Sequence, residues 1–124
     1  AEEGGIGLAQ KCLSIERSGS TAAIYGGRLF VIGGHHGVEV EVFDGTAFSL
    51  LENDFPVIVF GASAIFWRNK LWVTGGFSYN SFYNDAITYD GKIWAKETEL
   101  LQARAWHAVA IFRDRMFVLG GANA

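Results

Sequence analysis

Along the chain, short apolar runs alternate with glycine-rich or charged turns, and one arrangement returns three times. Residues 103–121 read ARAWHAVAIFRDRMFVLGG: apolar runs at 106–112 and 116–119 flank the charged turn Arg113-Asp114-Arg115 and end at Gly120-Gly121. Such runs, bounded by turn residues, predict a strand–turn–strand hairpin, closed by residues free to adopt positive φ. Residues 20–34, STAAIYGGRLFVIGG, and 62–76, ASAIFWRNKLWVTGG, repeat the pattern. The double glycines Gly33-Gly34, Gly75-Gly76 and Gly120-Gly121 are therefore spaced by 42 and then 45 residues.

The repeat extends beyond the hairpins. Asp44, in Phe43-Asp44-Gly45, lies 11 residues after Gly33, and Asp90, in Tyr89-Asp90-Gly91, lies 15 after Gly75. The four-residue difference falls in the loop after the second double glycine. An aromatic residue, Phe48 or Trp94, follows each Asp-Gly where a fourth strand is expected. Arg17 and Arg104 each stand 16 residues before a double glycine, at Gly33 and Gly120, and Val59 takes that place in the middle copy. A period in the forties made of short strands predicts propeller blades.

In this register Glu3-Gly4 matches the Asp-Gly turns. The expectation is an orphan outer strand at 6–13, one four-stranded blade at about 17–52, a second at about 59–97 and a terminal hairpin at 104–121. That makes about 11 strands in an all-β chain. Propellers close with about 4–8 blades, so this number of blades is incomplete as a single chain. Further blades from the same parent chain, or another copy of this chain, are the expected neighbours. The register gap of one strand favours the first.

Apolar hairpin, double glycine, aromatic-Asp-Gly and then Trp94 together resemble the kelch motif, and the resemblance covers nearly the whole chain. It implies four-stranded antiparallel blades with strands a to d running outward from a central channel. Strands a and b are then the hairpin, c ends at Asp44 or Asp90, and d holds Phe48 or Trp94. Val59 and Phe48 depart from the pattern. The resemblance implies a protein-interaction module that uses the loop face of a propeller, with no catalysis in these residues. Two alternatives come with it: a structural subunit, or part of a propeller enzyme whose active site lies mostly outside this chain. A sugar oxidase needs Tyr and His ligands with a suitably placed Cys, whereas Cys12 falls on the outer strand. A sialic-acid-type isomerase needs Arg, His and Glu in the channel, where only Arg104 and His107 are available.

Composition narrows the classes. Half the residues are hydrophobic and 15% aromatic, too apolar for a disordered chain. The net charge is −3 with the ten basic residues scattered, so no basic stripe for nucleic acid is expected. The single Cys12 forms no internal disulfide. The nearly continuous apolar run at 55–67 spans 13 residues and contains Pro56 and Gly61, too short for a membrane span of about 20. The sequence assigns no compartment, and cytoplasm is the default.

Candidate chemistry is sparse. His35 and His36 adjoin in the first b–c loop, but zinc needs three or four converging ligands, so no metal or cofactor is expected. His107 beside Arg104 is read as a buried group bonded to a loop carbonyl, with a partner-facing rim residue as the alternative. Asp44, Asp90 and Glu3 recur at one turn of each copy, where Asp accepts from turn amides; catalysis is not their expected role. Loop 77–85, FSYNSFYND, mixes aromatics with Ser and Asn in the manner of binding loops, with Phe77 and Phe82 expected inward and Tyr79 and Tyr83 outward. The apolar connection 55–60 is the second anomaly. The d–a and b–c connections share one face in this register, which gathers Phe60, Tyr79, Tyr83, His35, His36, Arg17 and Arg104; with His107 they make up the candidate partner-binding set.

Overall fold

The computed structural model describes Leu13 and residues 15–123. Among them there is no helix, and twelve strands are formed. The first sheet runs β1(Thr21–Tyr25), β2(Arg28–Ile32), β3(Glu41–Phe43) and β4(Phe48–Leu50), antiparallel in that order. The second has β5(Ser63–Trp67), β6(Lys70–Thr74), β9(Asp85–Tyr89) and β10(Trp94–Glu99) in the same spatial arrangement. Between β6 and β9 the longer loop forms its own small hairpin, β7(Phe77–Ser78) and β8(Ser81–Phe82). A final hairpin joins β11(Ala108–Phe112) to β12(Arg115–Leu119). The strand expected at 6–13 lies outside the described residues, apart from Leu13, which is not in a strand.

The three repeat hairpins share one turn geometry. Tyr25 pairs with Arg28, Trp67 with Lys70 and Phe112 with Arg115. Each pair leaves two central residues, both at positive φ: Gly26-Gly27, Arg68-Asn69 and Arg113-Asp114. Two-residue loops with φ positive at both centres match the right-handed twist of the flanking strands. The c–d turns agree as well. Asp44 Oδ1 accepts from the amides of Thr46 (2.8 Å) and Ala47 (3.0 Å), and Asp90 Oδ1 from Lys92 (2.9 Å) and Ile93 (3.0 Å). These bonds hold both carboxyls below the ordinary carboxylate range.

The blades lean on one another through their first strands, β1 on β5 and β5 on β11. Between the first two sheets lies the core, with Phe30, Ile32, Val42, Leu71, Val73 and Ile87 buried together. The connection 55–60 closes it: Phe55 and Val59 are buried members of the same cluster, and Val57 packs on it. Trp94 locks the outer end. Its ring lies 5.0 Å from Phe55 and 4.8 Å from Tyr89, and its Nε1 donates to the Asn53 carbonyl at 3.1 Å.

The double glycines set the distance between blades. All six have positive φ. A Cβ on Gly33 would lie 2.6 Å from the Val59 carbonyl oxygen, the same oxygen that accepts from Gly34 N at 2.8 Å. One sheet later Gly76 N donates to the Arg104 carbonyl at 2.7 Å. Val59 and Arg104 therefore occupy one repeat position, and only glycine lets the backbones approach so closely.

Candidate binding face

The d–a connections form a ladder across the blades. Gly61 N donates to Gly19 O at 2.8 Å, and Trp106 N donates to Gly61 O at 2.7 Å. Gly19, Gly61 and Trp106 are thus equivalent, and all three are at positive φ: 76°, 71° and 55°. That region suits glycine and strains a bulky residue. Trp106 nevertheless occupies it, with its indole laid across its counterpart in the preceding blade: a Cβ on Gly61 would meet the ring at 2.8 Å. The side chain is 57% exposed.

The small β7–β8 hairpin raises a second ring beside it. Tyr79 sits in the two-residue turn at φ 53° and is 67% exposed. Phe77, at the hairpin base, lies 6.1 Å from the Trp106 ring and 4.8 Å from Phe82. Phe60 pairs through its backbone with Phe77, and His36 stands edge-on to Phe60 at 5.3 Å and tilted to Tyr79 at 6.4 Å. Trp106, Tyr79, Phe77, Phe60 and His36, with Ser18 and Gly19, surround a recess of about 400 Å³. A more polar recess of about 540 Å³ adjoins it, sharing Ser18, His36 and Phe60 and adding Glu16, Arg17, Gly34 and His35.

The candidate set divides on inspection. Phe60, Tyr79, His35, His36 and Arg17 all line these two recesses. Arg17 contributes little free charge, because its side chain is fully buried. Its Nε donates to Glu41 Oε1 at 3.0 Å, Nη1 to the Gly33 carbonyl at 2.7 Å and Nη2 to the Glu39 carbonyl at 2.9 Å. Arg17 Nη1 also donates to His35 Nδ1 at 3.1 Å, so His35 Nε2 carries the hydrogen given to Glu39 Oε1 at 2.9 Å. That bond holds the Glu39 carboxyl below its ordinary range.

Tyr83 does not point outward as expected. Its amide donates to Gly76 O at 2.8 Å and its ring packs on the core. Phe77 and Phe82 are half-buried against each other rather than folded fully inward.

His107 is buried between the second sheet and the last hairpin. Its Nε2 meets the Thr74 hydroxyl at 2.8 Å, in place of the loop carbonyl expected, and Nδ1 has no hydrogen-bond partner among the described residues. Burial first, and then the Arg104 charge, push its pKa below 6.5. Arg104 lies away from the aromatic recess, beside Leu100, Leu101, Met116 and Val118. Among the described residues no three His, Cys, Asp or Glu side chains converge to hold a metal. Among the described residues no helix is long and apolar enough to cross a membrane.

Sequence reasoning missed Trp106 and Gly61 as site residues. The signal was present, since the 42- and 45-residue spacings place Trp106 where the other copies carry Gly61 and Gly19.

Comparison with solved structures identifies the architecture. The structure of YjhT, a propeller-type fold, superposes with a TM-score of 0.78 at 24% sequence identity. The fold is that of a β-propeller. The match covers 89% of this chain but 36% of YjhT, so this chain spans about a third of that protein's length. No family model matches the sequence.

Proposed function

We propose that this chain is part of a kelch-type propeller that binds a protein or peptide partner on its d–a and b–c loop face. The aromatic recess is the contact site, and binding, not catalysis, is its role. The observation that carries this reading is the strained, exposed pair Tyr79 and Trp106. Both rings are held in a left-handed backbone conformation that their repeat or turn positions reserve for glycine. Such strain persists where surrounding structure fixes it and concentrates at functional positions. Rigid, exposed aromatics around an apolar recess are also the residues that dominate interface energetics. The enzyme alternative draws less support, because Arg17 is buried and already engaged by Glu41, His35 and two main-chain carbonyls.

The test begins with a displayed peptide library selected on the wild-type chain, followed by calorimetric affinity of the enriched peptides. Trp106→Gly restores the repeat residue and should cost at least tenfold in affinity with the melting temperature unchanged or raised. Tyr79→Ala should lose binding similarly, since hot-spot aromatics contribute about 2 kcal/mol or more. Failure to enrich any peptide, or peptides that bind Trp106→Gly as well as wild type, would refute the proposal.

A further inference from the structure

The aromatic recess has rings on its walls and negative charge beside it. Among the described residues no Arg or Lys lines it. The polar recess that shares Ser18, His36 and Phe60 with it is also lined by Glu16, an exposed residue. The Glu16 carboxylate enters no ion pair among the described residues. Glu39 stands behind His35, whose Nε2 hydrogen it accepts, and that bond favours its ionised form. The His35 ring adds no positive charge in this arrangement, because its Nδ1 accepts from Arg17.

The Arg17 charge is spent inside the blade. Its buried guanidinium pairs with the buried Glu41. In the middle blade Val59 stands for the arginine and Ile87 for the acid, since Ile87 pairs with Val73 as Glu41 pairs with Val31. One pair is ionic and the other apolar, so each is neutral as a unit and belongs to the blade. Two carboxylates, Glu16 and Glu39, are left uncompensated along the polar recess. An anionic ligand would be repelled there, whereas a cation would meet both opposite charge and ring faces.

Elsewhere this chain shows which cation fits a ring beside a carboxylate. The Arg68 guanidinium lies 4.3 Å from the Trp67 ring and 3.1 Å from Asp114 Oδ2. Trp67 Nε1 donates to Oδ1 of the same carboxylate at 3.1 Å. Arg28 and Arg113 likewise lie over Phe30 and Phe112, at 5.4 and 5.0 Å. Trp106, 57% exposed, offers the same kind of ring without a guanidinium of its own.

We infer that the recess takes an arginine side chain of the partner peptide, its guanidinium over the aromatic rings and its charge balanced by Glu16 in the adjoining recess. The inference rests on the recess being the partner site, and it names what that site selects. A guanidinium is planar and weakly hydrated, so it stacks on a ring while its edge still donates to a carboxylate. An ammonium is a strongly hydrated point charge that loses more on leaving water.

The probes are acetyl-glycyl-arginyl-glycine amide and its citrulline and lysine counterparts, titrated into the 124-residue chain. The Trp106 indole N–H resonance reports binding, and its loss in Trp106→Gly identifies it. Citrulline keeps the shape of arginine and removes the charge. The arginine peptide should bind at least about tenfold more tightly than the citrulline peptide, and more tightly than the lysine peptide. Glu16→Gln, at an exposed position, should shrink the arginine–citrulline gap by about threefold or more. No shift with the arginine peptide, equal affinity for citrulline, a preference for lysine, or an undiminished gap in Glu16→Gln overturns the inference. The library peptides separate it from the wider reading. Peptides that require Trp106 and Tyr79 but bind equally well with citrulline in place of arginine would overturn the arginine assignment and leave the recess as the partner site.

Discussion

Replacing the Arg17–Glu41 pair by its counterpart from the next blade should separate charge pairing from packing. Both side chains are completely buried, with Nε and Oε1 3.0 Å apart. Glu41→Ile alone leaves a desolvated guanidinium facing an apolar side chain, and Arg17→Val alone leaves a desolvated carboxylate. Breaking a buried pair from one side costs about 3–5 kcal/mol. The double variant Arg17→Val/Glu41→Ile reproduces Val59 and Ile87, which the middle blade accommodates in its core. Substituting a whole buried pair by apolar residues ranges from neutral to stabilising. Against this, the carbonyls of Gly33 and Glu39 lose their Arg17 donors. Each such loss costs about 1–3 kcal/mol when the group stays dry. The double variant should therefore be no worse than either single one, with a coupling of about 3 kcal/mol or more. Urea denaturation followed by tryptophan fluorescence measures all four proteins, with constant m-values as the check that the comparison is sound. Additive losses, or single variants that cost under about 1 kcal/mol, would refute the reasoning. The pair would then behave like a surface salt bridge despite its burial.

Stability should rise with pH through the histidine range, because His107 is held below 6.5 by burial and the Arg104 charge. Below 6.5 the unfolded chain binds a proton that the folded chain resists, so stability is full above that value and falls as pH drops toward the folded pKa. Urea midpoints at pH 7.5 and 5.5 should show the loss in wild type and less of it in His107→Gln; an opposite slope would contradict the assignment. Arg113→Gly, at φ 51° in the β11–β12 turn, should raise the melting temperature by relieving left-handed strain of about 1 kcal/mol, and a lower one would show that the Arg113–Phe112 contact outweighs it.

The repeat hairpins were legible because three independent constraints coincide in each: an apolar run, a two-residue turn and a double glycine. The c–d turns were legible for a local reason, since Asp44 and Asp90 accept from amides two and three residues away. Loop 77–85 was only half legible. Reading it as one open segment put Tyr83 outward, whereas the β7–β8 hairpin uses up Phe77 to Phe82 and the Gly76 carbonyl then draws Tyr83 onto the core. The Thr74 partner of His107 was out of reach for a different reason: it belongs to a neighbouring blade, 33 residues away, and no spacing rule names a hydroxyl across a blade boundary.

The departures from the repeat carry more information than the repeat itself. Trp106 stands where the other copies have glycine, and Phe60 stands where they have Ser18 and Ala105. The second b–c loop is longer by four residues and presents Tyr79. Sequence drift would scatter such changes over three blades. Instead all three converge on one recess, where their rings approach Phe77 or His36. Two of the three require backbone conformations unfavourable for their side chains, a cost that packing alone gives no reason to sustain on exposed rings. The paired departure at Val59 and Ile87 shows the opposite case: both changes lie in the core and compensate each other there. A coupled change inside the blade maintains the fold, while uncoupled, strained and exposed changes gathered on the loop face are what a binding site requires.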